Sequence, residues 1–290
     1  MPSPAEYPFT PQAFRTTDGH CLSYLDEGSG PAVVMAHGNP SWSYLYRNVV
    51  TGLKTNYRCI VPDHLGCGLS DKPQSWPYRL QNHIDNFTAL LDHLSIKRCV
   101  LIVHDWGGAI GMGWAGQYPE RVAGLVLLNT AAFRSIQLAL RIAVCRWPFL
   151  GALLVRGLNG FAWPATFMAV RKKMRPEIKA GFLAPYNSWA NRVAVHGFVR
   201  DIPMRPGHPS WDTLVQVETS LARLQGKPML ICWGGQDFCF NRSFYAEWQR
   251  RFPQAESHYF QKAGHYVLED ALPEVLGQLQ PFLQSCHTMG

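Results

Sequence analysis

Three residues of this chain have the types and the order that nucleophilic catalysis needs: Asp105, Asp237 and His265. Residues 100–111 read VLIVHDWGGAIG, an apolar run that passes straight into a helical pattern. A sharp strand-to-helix turn requires small residues, and Gly107 and Gly108 supply them just after Asp105. The side chain of Asp105 then projects from the turn beside the positive end of the following helix, which favours its ionised form. An aspartate ahead of a helix also reads as an ordinary N-cap, so the turn alone does not assign chemistry. The rest of the chain does. WGGQD sets Asp237 just past an apolar run at 229–232, and AGHYVLED sets His265 in a loop between a run at 258–260 and the last helix. A carboxylate nucleophile, then an acid, then a histidine is an ordered triad. His265 is suited to act as base for a water, with Asp237 holding its tautomer and stabilising the imidazolium. The alternative position for the acid reads Leu128-Asn129-Thr130 and holds no carboxylate, so Asp237 takes the role.

Two further residues complete the constellation. The run at 32–36 ends in His37-Gly38-Asn39-Pro40, a loop placed to aim a backbone N–H at the same point as the N–H of Trp106. The Trp106 indole is donor only and the Asn39 side chain carries an amide donor, so together they can cradle a departing anion beside Asp105. A large indole after such a turn can also simply pack. No His/Cys cluster has metal-ligand spacing, and the chemistry needs neither a metal nor an organic cofactor.

These residues must be positioned by a frame. Short unbroken apolar runs recur at 32–36, 59–61, 99–103, 122–128 and 229–232, as strands buried on both faces of a parallel sheet do. Ile84, Phe87, Leu91 and Leu94 form one helical stripe between two of them. Strand–helix alternation predicts an α/β fold with a doubly wound, mostly parallel sheet. The alternation breaks after Asn129. Residues 134–206 are helical, aromatic and basic, and the strand pattern then resumes. The chain therefore reads as a core of 1–133 and 207–290 with a helical cap, 134–206, over the carboxyl edge of the sheet, where ligands of such sheets bind.

At 290 residues the chain can hold one full domain with an insertion. With 47% hydrophobic and 16% charged residues, neither disorder nor a coiled coil is indicated. The first ten residues show no leader pattern, and the most apolar window carries Arg141 and Arg146, against a membrane span. The eight cysteines are scattered, several of them inside apolar runs, and read as reduced thiols of a cytoplasmic protein. The net charge of +7 is concentrated: the cap holds twelve Lys or Arg against Glu177 and Asp201, a net of +10, leaving −3 for the rest. No nucleic-acid motif accompanies that charge, so no nucleic-acid partner is expected. An apolar small-molecule substrate, peripheral membrane association and a homo-oligomer joining acidic core to basic cap are expected instead.

In the stretches HGNPSWSYLYRNV, PDHLGCGLSDKP, HDWGGAIG, FVRDIP and AGHYVLED the chain resembles the haloalkane dehalogenases over nearly its whole length, and in its acid and anion-holding residues their third subfamily. DHLGCGLSDKP, LNTAAF and GHYVLED look closer still to the bacterial cis-β-lactone decarboxylases of olefin biosynthesis. The resemblance implies an α/β-hydrolase fold, of eight-stranded type with an inserted helical cap. It implies Asp105 as nucleophile, His265 as base, Asp237 as acid, and Asn39 and Trp106 as halide or oxyanion holders. The first activity it implies is cleavage of carbon–halogen bonds through an alkyl-enzyme ester; the alternative is decarboxylation of a β-lactone to a cis-alkene. A ligand-binding module without turnover is a third reading, against which the complete triad argues. Epoxide hydrolases need cap tyrosines, and only Tyr186 lies in 134–206; fluoroacetate dehalogenases need arginines after the nucleophile, and 106–111 has none.

Overall fold

In the computed structural model, which describes residues 4–288, eight strands form a single sheet. They are β1 Gln12–Arg15, β2 Cys21–Glu27, β3 Ala32–Ala36, β4 Arg58–Pro62, β5 Cys99–Asp105, β6 Val122–Thr130, β7 Met229–Gly234 and β8 Glu256–Phe260. Their order across the sheet is β1-β2-β4-β3-β5-β6-β7-β8. β2 pairs antiparallel with both β1 and β4, and every pairing from β4 to β8 is parallel. Residues 1–3, where the sequence was read for a leader pattern, and 289–290, the outermost ends of the two core segments, lie outside the described residues.

The apolar runs are unbroken because both faces of the central strands are covered. Val33, Met35, Val100 and Ile102 enter one core cluster, and Val34, Ala36, Leu101 and Val103 enter the other. Helices Arg47–Leu53 and Leu272–Thr288 cover the first face; Leu80–His93, Trp106–Gln117 and Trp211–Ser220 cover the second. The striped helix is Leu80–His93, with Ile84, Phe87 and Leu91 all buried. β1 and β2 are additions that the apolar pattern does not announce. β1 is largely exposed at the sheet edge, and β2 ends in Asp26 and Glu27.

Between β6 and β7 the chain forms helices alone, among them Leu140–Cys145, Pro148–Ala152, Ala162–Met168, Pro176–Leu183 and Val193–Arg200. Among the described residues no helix is long and apolar enough to cross a membrane. From β3 the chain runs outward to β4, then crosses back to β5 on the other side of β3. That reversal opens a crevice at the carboxyl ends of β3 and β5, where an open parallel sheet binds its ligands.

Candidate active site

Asp105, the last residue of β5, has φ +51° and ψ −124°, in a region that non-glycine residues rarely occupy. The neighbours are chosen by space. A Cβ on Gly107 would run into the carbonyl of Ala36, and one on Gly108 into the side chain of Thr130. Thr130 in turn donates its hydroxyl to the Asp105 carbonyl at 2.5 Å, tying the turn to β6. The carboxylate makes no capping hydrogen bond to the helix it precedes, so the N-cap reading does not describe it. It accepts instead from the backbone N–H of Asn39 at 2.6 Å, across the crevice between β3 and β5.

His265 stands on the other side of Asp105, its Nε2 3.7 Å from Oδ2. Its Nδ1 meets Oδ2 of Asp237 at 2.7 Å, which fixes the tautomer and leaves Nε2 toward Asp105. The fold thus brings all three residues of the ordered triad together, each from the carboxyl end of a different strand.

Electrostatics pull the pair in a consistent direction. Burial raises the Asp105 carboxyl above its ordinary range, and the nearby imidazole and the N–H groups of Asn39 and Trp106 oppose this only in part. Burial also works against charge on His265. The Asp237 carboxylate and then Asp105 outweigh it, and the ring sits above its usual value.

Several residues that the motifs did not single out support this arrangement. Asn129, with φ +36° and no exposure, donates from Nδ2 to Asp237 Oδ2 and to the Gly234 carbonyl, both at 3.0 Å. Its Oδ1 accepts from the Gly234 N–H at 2.7 Å. The position without a carboxylate is therefore used to hold the carboxylate that is present. Asp237 Oδ1 accepts from the Cys239 N–H at 2.6 Å. His104, one residue before Asp105, meets the His265 carbonyl through Nε2 at 2.9 Å, and burial holds this ring well below its ordinary pKa, hence neutral. Phe240 lies over His265 with ring centroids 5.8 Å apart. The one available signal for Asn129 is its residue type, since asparagine tolerates left-handed backbone at the end of an apolar run. His104 and Phe240 gave none.

Asn39 and Trp106 differ in their freedom to hold an anion. The side-chain nitrogen of Asn39 donates to the Val195 carbonyl at 3.1 Å, so one of its two N–H bonds is already engaged. The Trp106 indole packs on Phe198, with centroids 5.2 Å apart, and its N–H meets no acceptor among the described residues. Both residues line a cavity of about 290 Å³ that opens over Asp105 and His265. Its walls are mainly apolar: Phe133, Leu138, Ile142, Phe161, Met168 and Phe238 are among them. Tyr186 does not line it; its hydroxyl donates to the Ser41 carbonyl at 3.1 Å, so it is spent on structure. Among the described residues no group of three or more His, Cys, Asp or Glu side chains could hold a metal ion.

A buried carboxylate, an imidazole beside it and a mainly apolar cavity above can together form and resolve a covalent ester. Known proteins share this frame. Residues 31–272 match the α/β hydrolase fold family. A cis-3-alkyl-4-alkyloxetan-2-one decarboxylase of Shewanella oneidensis is 46% identical over 283 residues, covering 95% of this chain and 89% of the relative. Haloalkane dehalogenase 2 of Mycobacterium bovis is 31% identical over 276 residues, covering 93% of each. The crystal structure of a haloalkane dehalogenase from Bradyrhizobium elkani superposes with a TM-score of 0.88 at 24% identity, covering 97% of this chain and 100% of the other. With matches of this extent, the chain belongs to the α/β-hydrolase fold family, among the enzymes that include the haloalkane dehalogenases and the cis-3-alkyl-4-alkyloxetan-2-one decarboxylases.

Proposed function

We propose that Asp105 is a nucleophile that attacks a saturated carbon, and that the reaction is decarboxylation of a cis-3-alkyl-4-alkyloxetan-2-one to a cis-alkene and carbon dioxide. The observation that carries the first part is the carboxylate itself, fixed by the Asn39 N–H at 2.6 Å beneath an apolar cavity, with His265 3.7 Å away. The similarity to the Shewanella decarboxylase favours this substrate class over the haloalkane that the motifs put first.

In this reading Asp105 attacks the ring carbon that bears the ring oxygen. The carbon–oxygen bond breaks, and its electron pair leaves with the lactone carboxylate. The bond from that carboxylate to the neighbouring carbon then breaks and carbon dioxide departs. Its electron pair forms the alkene while the bond to the Asp105 oxygen breaks, restoring the free carboxylate. No water is consumed. Inversion at the attacked carbon followed by anti departure keeps the two alkyl groups cis. The Asn39 and Trp106 donors stabilise the charge that develops on the departing carboxylate. Asp237 orients His265, and the two carboxylates beside the ring raise its pKa above the usual value, which favours an imidazolium beside the Asp105 oxygen that must leave.

A second reading, hydrolysis of a haloalkane to alcohol and halide, is favoured by one feature. Trp106 lines the cavity and its indole N–H has no acceptor among the described residues, so it is available to a departing halide. Incubation with a cis-β-lactone and with a panel of bromoalkanes, measuring alkene and halide, tests both. Alkene without halide is expected. Halide without alkene assigns the dehalogenase, and neither product reduces the protein to a ligand-binding module.

A further inference from the structure

The helices that roof the cavity carry a second surface. Among the described residues eleven large apolar side chains are exposed, and ten of them fall at positions 136–189. Phe149 is 92% and Ile136 91% exposed. Helix Pro148–Ala152 continues as the wider turn Leu153–Gly157. Along it Phe149, Leu150 and Leu153 face outward, while Gly151 and Val155 turn into the core. Trp163 and Phe167 stand one turn apart on helix Ala162–Met168, edge to face at 5.0 Å, and the Lys179 ammonium lies 5.0 Å from the Trp163 ring. Ten exposed large apolar side chains within one stretch of chain point to a docking site rather than scattered exposure.

Its charge says what docks there. From position 136 to 174 there is not one carboxylate, while Arg141, Arg146, Arg156, Arg171, Lys172 and Lys173 all lie in that stretch. Arg171, Lys172 and Lys173 are exposed, and their side chains have no acidic partner among the described residues. Aromatic and aliphatic side chains edged by unpaired cations match a lipid surface with anionic headgroups, the rings entering the acyl boundary and the cations meeting phosphates. The same segments line the cavity. Leu138 and Ile142 face it beside the exposed Ile136 and Leu140, and Pro164 and Ala165 face it beside Trp163 and Phe167.

We propose that this face docks on an anionic lipid surface and lets an apolar substrate pass from the membrane into the cavity without crossing water. The assignment stands whichever reaction Asp105 performs. The test is co-sedimentation of the full chain with vesicles of phosphatidylcholine alone and of phosphatidylcholine mixed equally with phosphatidylglycerol. The protein should partition at least about tenfold more strongly to the anionic vesicles at about 10 mM salt, where charge acts over about 30 Å, and lose that preference near 1 M, where it acts over about 3 Å. The double variant Phe149→Ser/Leu153→Ser should lose at least about tenfold in partition while turning over a dissolved short-chain substrate at the unaltered rate. Absence of anionic-vesicle binding at low salt overturns the proposal. So does a homo-oligomer in light scattering that the double variant dissolves while lipid binding stays unchanged, because the face then meets a second copy.

Discussion

Asn129→Asp is a change of one atom pair that tests the support beneath the triad. In the native chain the Asn129 amide donates to Asp237 Oδ2 at 3.0 Å, with no exposure to solvent. The variant sets a second carboxyl against the first, and two buried carboxylates at that distance cannot both ionise, so the pair retains one proton. The introduced group then has its folded pKa raised far above the unfolded value near 3.9. The sign follows. A carboxyl that stays protonated in the fold but ionises when unfolded destabilises increasingly as pH rises above the unfolded pKa, until the folded pKa is reached. At about 1.36 kcal/mol per pH unit the cost is about 1.5 kcal/mol at pH 5 and about 4 kcal/mol at pH 7. A loss of about 1 kcal/mol, independent of pH, adds to both, because a neutral carboxyl has one donor where the amide has two. Urea unfolding of wild type, Asn129→Asp and Asn129→Ala at both pH values measures this. Asn129→Ala should be destabilised to the same extent at each pH, since it adds no titrating group. A gap between Asn129→Asp and wild type that does not widen by about 2 kcal/mol between pH 5 and pH 7 would refute the contact with Asp237.

Asp105→Asn should cost at least about a thousandfold in turnover, because the covalent step is gone. Its melting temperature should stay level or rise at neutral pH, since burial already disfavours the native charge; a large drop in melting temperature would show that the residue is structural. His265→Gln exposed to a bromoalkane should accumulate the alkyl group on Asp105, seen by intact-protein mass spectrometry, if displacement proceeds and hydrolysis is blocked. Absence of an adduct in a folded variant would count against halide displacement and leave lactone opening. Asp237→Asn should lower turnover by up to about ten-thousandfold, as loss of an orienting carboxylate does in a triad, and near-normal rates would move the acid role elsewhere. If the reaction is the proposed decarboxylation, kcat/KM against pH should fall on the acid side as Asp105 takes a proton, above the ordinary carboxylate range, and on the alkaline side as His265 loses its own, above the ordinary histidine value. Activity that persists well above that alkaline limit would remove imidazolium from the mechanism.

Much of this site is legible in sequence because its parts are local. The turn at Asp105 follows from an apolar run meeting Gly107 and Gly108, and β3 occupies the residues of its apolar run, Ala32–Ala36. Asp237 and His265 are marked by their place just beyond β7 and β8. What escapes is set by register between strands. Asn129 reaches Asp237 because β6 pairs with β7 with Leu128 opposite Cys232, and no local pattern states that pairing. The Asn39 amide looks free in sequence, yet it is engaged by the Val195 carbonyl, 156 residues away. β1 and β2 escape for another reason, since exposed or charge-ended edge strands lack the apolar run that betrays the central ones.

Charge at His265 is where the two chemistries part. In the resting site two carboxylates face this ring, Asp237 at 2.7 Å and Asp105 at 3.7 Å, and both favour imidazolium. In either proposed reaction Asp105 becomes an ester, its charge disappears, and the ring keeps only the pull of Asp237. For hydrolysis His265 must be neutral to activate water, and a water must enter a cavity walled by Phe238, Phe240 and Tyr266. For decarboxylation neither event is needed. An imidazolium at His265 would stand beside the oxygen that takes up negative charge in the proposed alkene-forming step, and its stabilisation of that charge would be greatest in the transition state. Apolar walls help for the same reason, because a low local dielectric strengthens attraction between opposite charges. This charge pattern suits the proposed decarboxylation, whose second step has Asp105 leave and requires no water.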